Sequence, residues 1–274
     1  MSTEKNAKII NKAPCKRLYE RVLDVKDFCR VIEKHGDRVL FTYFDKKRQL
    51  HDVTYGEFTN KVKSLAAALT DRGYAGKRIA IIGETSVEWV ASYLAVLASG
   101  GVAIPLDKEL EISVIDGFME SVDANALVYS ASFNGKFVDL MKEHSSLSTF
   151  IPMDPTEAEL AASDKIIPLE TLYTEGEALV DAGFSIKPVE NRDGVAEFLF
   201  TSGTTGTSKG VMLSQRNLTA ATNSSCLSMA CDDETTLVSV LPPHHTYEMT
   251  CGHLAVINIG AHVFINDAIR HALK

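Results

Sequence analysis

Trp89-Val90-Ala91-Ser92-Tyr93-Leu94-Ala95-Val96-Leu97-Ala98-Ser99-Gly100-Gly101-Val102-Ala103-Ile104-Pro105-Leu106 contains no charged side chain. A run of that length raises the possibility of a membrane span. Gly100, Gly101 and Pro105 break it. Before them, Trp89, Val90, Tyr93, Leu94 and Leu97 recur at helical spacing; after them, Val102 to Leu106 is a short, continuous apolar stretch. The run therefore predicts a helix followed at once by a buried strand, and no membrane span.

The same unit repeats outward from this stretch. A capping box, Thr54-x-x-Glu57, opens a helix through Phe58, Val62, Leu65, Ala66 and Leu69 that stops at Gly73, and a strand follows at Ile79 to Ile82. After Leu106 the spacing predicts a helix near Ile112 to Val122, a strand Ala126 to Tyr129, a helix near Phe137 to Lys142 and a strand Thr149 to Pro152. Alternation of this kind argues for an α/β fold with doubly wound, mostly parallel sheets and helices on both faces. Ahead of it, Leu40 to Phe44 and His51 to Thr54 flank Asp45-Lys46-Lys47-Arg48-Gln49 as a hairpin. The polar stretch Phe184 to Gly194 marks a boundary, dividing a first α/β subdomain, 1–190, from the start of a second, 191–274. Beyond it the pattern gives a helix from about Gln215 to Met229, a strand Thr236 to Leu241, a helix near Tyr247 to Ile257, a strand His262 to Ile265 and the beginning of a helix at Asp267.

At the head of the second part stands Thr201-Ser202-Gly203-Thr204-Thr205-Gly206-Thr207-Ser208-Lys209-Gly210. Every residue before the lysine is a glycine or carries a hydroxyl. Glycines permit close backbone approach, hydroxyls and free N–H groups donate to phosphate oxygens, and Lys209 adds a full charge. The stretch lacks the Gly-Lys-[Ser/Thr] opening of a Walker A helix. Val195 to Phe200 and Val211 to Leu213 flank it as strands, so it reads as the tip of a hairpin, with Ser214 as N-cap of the next helix.

The chain has 274 residues, 45% of them hydrophobic, enough for a substantial core. Its net charge of −8 and lack of a sustained basic cluster argue against a nucleic-acid partner. Met1 to Arg17 shows no apolar signal region, and the five cysteines form no Cys-x-x-Cys pair. Both features suit reduced thiols and a cytoplasmic location. The spacings of Cys226, Cys231, His244, His245, Cys251 and His253 match no common structural-zinc pattern, so no metal site is assigned.

Phe200 to Gly210 resembles the signature loop of the AMP-forming synthetases and ligases, with Ser208 where most members carry proline. The resemblance extends through Val53 to Phe58, Arg78 to Gly83 and Gly100 to Asp107. It resumes at Leu241-Pro242-Pro243-His244-His245-Thr246-Tyr247-Glu248, similar to the family's Leu-Pro-x-x-His-x-aromatic segment.

The resemblance implies a carboxylate-activating ligase of acyl-CoA synthetase type, using ATP, Mg2+ and coenzyme A, with a fatty acid or other small carboxylic acid as substrate. Thr201, Ser202, Gly203, Thr204, Thr205, Gly206 and Lys209 would hold the phosphates of ATP. His245 would hydrogen-bond the carboxylate as the catalytic residue, and Tyr247 would wall the acyl pocket. Glu248 after His-x-Tyr resembles the long-chain fatty acyl members more than the aryl-acid ligases. Carrier-protein ligases, amino-acid adenylation domains and a non-catalytic nucleotide-binding module are the competing readings. Later family elements, including the adenine, ribose and catalytic-lysine segments, do not occur here. A C-terminal half is therefore expected in a longer parent, and this chain alone is expected to be inactive.

Overall fold

The computed structural model describes residues 19–143, 146–201 and 209–266. In chain order the elements begin with α1 (Val25–Glu33), β1 (Val39–Phe44), β2 (Leu50–Thr54), α2 (Tyr55–Asp71), β3 (Arg78–Ile82), α3 (Val87–Ala98), β4 (Val102–Leu106) and α4 (Ile112–Ser121). Next come β5 (Ala126–Tyr129), α5 (Leu140–Glu143), β6 (Thr149–Pro152), α6 (Glu157–Leu160) and α7 (Leu169–Asp181). The last are β7 (Val195–Thr201), β8 (Lys209–Ser214), α8 (Gln215–Ser228), β9 (Thr236–Ser239), a π-helical segment Glu248–Leu254, α9 (Ala255–Ile259) and β10 (His262–Ile265).

The strands form two sheets, one of six in the order β6-β5-β3-β4-β7-β8 and one of four in the order β2-β1-β10-β9. In the larger sheet β3 to β7 run parallel and β8 returns antiparallel to β7. Alternate side chains enter two cores. Ile79, Ile81, Ala103 and Val128 face α2 and α3, whereas Ala80, Ile82, Ile104, Leu127 and Tyr129 meet Ile115 and Met119 of α4. Burial on both faces is why these strands read as unbroken apolar runs. The doubly wound α/β architecture is thus present.

Caps place the helices where the sequence indicates. The Thr54 hydroxyl accepts from the Glu57 N–H, and the Glu57 carboxylate accepts from the Thr54 N–H at 2.7 Å. Ser86 and Ser214 cap α3 and α8 in the same way, by accepting from Trp89 and Asn217. Every residue of α3 except Glu88 is buried. Its core is shared with α2 and with Phe41, Val263 and Ile265 of the smaller sheet, so it is covered on all sides. That burial is the structural reason for the uncharged run from Trp89. Among the described residues no helix is long and apolar enough to cross a membrane.

Both sheets take strands from either side of the polar stretch 184–194: β7 and β8 extend the sheet of β3 to β6, while β1 pairs with β10. Three expectations change. β9 stops at Ser239, short of Leu241, since Pro242 and Pro243 offer no N–H to a ladder. The segment near Phe137 is helical only over Leu140–Glu143. The stretch after Tyr247 opens as a π-helix before α9, which Gly260 ends with a φ of 86°. Three helices lack a counterpart in the sequence reading: α1, α7 and the single turn α6. The two longer ones nonetheless bury a periodic stripe, Val25, Phe28, Cys29 and Ile32 in α1, and Leu169, Leu172, Tyr173 and Gly176 in α7. The start of a helix at Asp267 lies outside the described residues.

α7 packs on α2 at Gly176, where a Cβ would stand 1.8 Å from the Ser64 carbonyl oxygen. Gly176→Ala must force the helices apart. It is expected to destabilise the fold by about 2 kcal/mol or more in urea titration, outweighing the roughly 1 kcal/mol by which alanine favours a helix. A neutral substitution would contradict the close approach.

Glu197 of β7 is buried and accepts from the Tyr93 hydroxyl of α3 at 3.1 Å. Burial pushes its pKa up to about 7, against the lowering effect of the Tyr93 bond. The folded state therefore binds a proton more tightly than the unfolded state, whose carboxyl titrates near 4.3. Stability from this group is complete below that value and is lost as pH rises toward 7. Glu197→Gln is expected to remove a decline of about 3 kcal/mol across that window, at about 1.4 kcal/mol per pKa unit. Parallel pH-stability curves for the two proteins would contradict it.

Candidate active site

In the larger sheet β3 connects to β4 on one side, and β4 connects back across β3 to β5 on the other. Such a reversal opens a crevice at the carboxyl ends of the strands. The carboxyl end of β4 leads to Asp107, and that of the neighbouring β7 is Thr201. The connection after β9 brings His244 and His245 to the same place. Leu106, Asp107, Phe200, Thr201, His244 and His245 are among the residues lining a cavity of about 350 Å³ here. Its wall is apolar on the sheet side, where Phe118 of α4 stacks on Phe200 with ring centroids 4.1 Å apart. Its polar lining comes from Asp107, Thr201, His244, His245 and Thr246.

The Thr201 end of this cavity is the base of the hairpin. Thr201 pairs with Lys209 in the antiparallel register of β7 and β8, and the Thr201 hydroxyl lies 3.5 Å from the Lys209 carbonyl oxygen. Both residues are exposed. Pairing at this register sets Lys209 directly across from the threonine that opens the loop. Ser202, Gly203, Thr204, Thr205 and Gly206 lie outside the described residues.

His244 and His245 stack obliquely with ring centroids 4.3 Å apart, and His244 Nε2 stands 3.8 Å from an Asp107 carboxylate oxygen. Burial pushes the His244 pKa down to about 4; the Asp107 charge works to raise it, and the neighbouring His245 and Lys108 lower it further. The imidazole is neutral at neutral pH and presents one donor and one acceptor nitrogen. Tyr247, in contrast, is 70% exposed and stands apart from the residues lining the cavity.

Asp107 and His244 were not singled out as site residues from the sequence. A signal for Asp107 exists, since it is the first charge after a buried parallel strand, at the strand end where such sheets bind ligands. His244 has no such signal beyond its neighbour.

A larger cavity of about 540 Å³ lies between Asp45, Lys46, Arg48, Glu84 and Glu88 at the ends of β1, β3 and β10. Its charges are mixed and partly paired with other groups, Lys46 with Asp154 and Glu88 with Lys61. The smaller cavity, which combines the hairpin base with two histidines, is the better candidate. Among the described residues no group of three His, Cys, Asp or Glu side chains converges as a metal cage would require.

Residues 28–273 match the family described as AMP-binding enzyme. The chain belongs to that family. Among curated relatives, the 3-[(3aS,4S,7aS)-7a-methyl-1,5-dioxo-octahydro-1H-inden-4-yl]propanoyl:CoA ligase of Rhodococcus jostii is 27% identical over 77% of this chain and 42% of its own length. A chloroplastic long-chain-fatty-acid–[acyl-carrier-protein] ligase of Arabidopsis thaliana is 25% identical over 80% of this chain and 33% of its own. Among solved structures, a long-chain-fatty-acid-CoA ligase of Archaeoglobus fulgidus superposes with a TM-score of 0.77 at 17% identity, covering 96% of this chain and 50% of that one. The chain thus spans half or less of these relatives and corresponds to the N-terminal part of the adenylate-forming fold.

The His244 geometry gives a direct titration test. Asp107→Asn removes the one charge that raises the His244 pKa, so its titration is expected to move below about 4, whereas His245→Gln is expected to move it up. Proton NMR of the imidazole C2–H reads both. An upward shift in Asp107→Asn would contradict the pairing.

Proposed function

We propose that the protein is an ATP-dependent carboxylate-activating ligase, with a long-chain fatty acid as its acid and coenzyme A as the acceptor. The observation that carries this reading is the meeting of the Thr201–Lys209 hairpin base with His245 at one cavity. Family membership supports the adenylating chemistry. Glu248 and the fatty-acyl ligases among the relatives support the choice of acid. The Arabidopsis relative, whose printed acceptor is an acyl-carrier protein, makes a carrier protein the alternative acceptor. A cytoplasmic location belongs to the same reading and accords with the free thiols of Cys29, Cys226, Cys231 and Cys251.

A carboxylate resists attack by a thiol because oxide is a poor leaving group. In this reading its oxygen attacks the α-phosphorus of ATP, the bond to the β-phosphate oxygen breaks, and pyrophosphate leaves. The acyl-adenylate then loses AMP to the incoming thiol. Negative charge grows on the leaving pyrophosphate, and hydroxyl and N–H donors of residues 201–206 with the Lys209 ammonium are the groups suited to meet it. His245 donates to the carboxylate and keeps one oxygen aimed at phosphorus, while Tyr247 closes over the acyl side in the complete protein. The described residues provide no cage for magnesium, which in this reading arrives on the phosphates of ATP.

Lys209 separates this reading from its rivals. Lys209→Ala in the complete protein is expected to weaken ATP binding, or to slow adenylation, by about 1.5 to 3 kcal/mol, roughly ten- to a hundredfold. AMP lacks the β and γ phosphates, so its affinity is expected to stay unchanged. Calorimetric titration with both nucleotides decides: loss of both means misfolding, and loss of neither, with an unchanged adenylation rate, refutes the phosphate role.

A further inference from the structure

The turn that carries His244 and His245 is closed at its base by a buried polar cluster. Ser239, the last residue of β9, donates its hydroxyl to Glu248 Oε1 at 2.5 Å. Ser239 is 0% exposed and Glu248 4%. His253 Nε2 lies 3.3 Å from the same hydroxyl and 3.9 Å from the same carboxylate oxygen, and the buried His253 Nδ1 has no hydrogen-bond partner among the described residues. Glu248 lies against Gly252 one turn on, where a Cβ would come within 2.7 Å of the carboxyl carbon.

This cluster is costly. Burial raises the Glu248 pKa, against the lowering effect of the Ser239 bond, and burial alone pushes His253 down to about 4. Apolar side chains of similar volume would fill the same space without desolvating a carboxyl and an imidazole. What the polar cluster adds is a directional tie between two backbone positions, Ser239 and Glu248, that bracket the histidine turn. From Glu248 the tie reaches the site in two short steps. The Met249 N–H donates to the His245 carbonyl at 3.0 Å, and the His245 N–H donates to the Pro242 carbonyl at 3.1 Å. The π-helical start at Glu248 belongs to the same arrangement, since an extra residue in a helical turn re-aims the side chains before it.

We propose that Glu248 is a positioning residue: tied to Ser239 and seated on Gly252, it fixes the turn that presents His244 and His245 to the cavity. The proposal rests on the reading of His245 as the group facing the carboxylate. Glu248 itself touches no substrate. Its influence is on where the two imidazoles stand and on how completely water is kept from His244.

The test uses Ser239→Ala, Glu248→Ala, Glu248→Gln and Gly252→Ala. In this chain, NMR titration of the His244 ring is expected to show its pKa climbing from about 4 toward the ordinary value of about 6.5 in Ser239→Ala and Glu248→Ala. Gly252→Ala, which crowds the carboxylate, is expected to move it the same way, while Glu248→Gln keeps an acceptor for Ser239 and restores the low value. In the complete protein, Glu248→Ala is expected to lower the adenylation kcat on the order of ten- to a hundredfold, with KM for ATP unchanged and activity rescued by Glu248→Gln. A His244 titration unchanged in Glu248→Ala, at a native melting curve, overturns the proposal. So does global unfolding of both Ser239→Ala and Glu248→Ala, which would make the cluster a folding determinant. Adenylation that survives His245→Ala would instead refute the carboxylate-orienting role, and the His244 titration would still decide the role of Glu248.

Discussion

The molecule depends on the burial of one helix from every side. α3 has the six-stranded sheet on one flank and shares its core with α2 and the inner residues of the four-stranded sheet. Apart from Glu88 in its first turn it presents no exposed side chain, and the Tyr93 hydroxyl ties it to the buried Glu197 carboxylate. Because both sheets meet the same apolar core, neither can shift without opening a void beside Trp89 or Tyr93, and close-packed interiors transmit such shifts as strain. The carboxyl ends of β4, β7 and β9 are held in fixed relation as a result.

That fixed relation makes chemistry possible at the cavity. The larger sheet contributes Asp107 and the hairpin base at Thr201 and Lys209, and the connection from the smaller sheet contributes His244 and His245. The polar groups come from separate elements, each anchored by a strand end. Burial keeps His244 uncharged at neutral pH, so its ring offers one donor and one acceptor nitrogen to the cavity. Lys209 is exposed and pairs with Thr201 at the base of the hairpin.

Most of the fold was legible because burial on both faces writes itself into sequence as unbroken apolar strands and capped helices. Ile79 to Ile82, Val102 to Leu106 and Ala126 to Tyr129 carry that signal, as do Thr54 and Ser214. Pairing between distant segments left no such mark: nothing local in Phe41 or Val263 says that β1 lies parallel to β10. The polar stretch 184–194 likewise indicates exposure and not which sheet the next hairpin joins. Of the residues named from the sequence, Thr201 and His245 line the cavity, while Tyr247 stands apart from it. Asp107 and the Ser239–Glu248–His253 cluster were not, because their roles arise from contacts made only after folding.

The central claim is that a carboxylate oxygen attacks the α-phosphorus of ATP. Isotope transfer tests it most directly. The complete protein, supplied with a fatty acid labelled with oxygen-18 in its carboxylate, ATP and coenzyme A, is expected to release AMP carrying one labelled oxygen, read by mass spectrometry. Label appearing in inorganic phosphate together with ADP, or thioester formed with no label in AMP, would contradict the account.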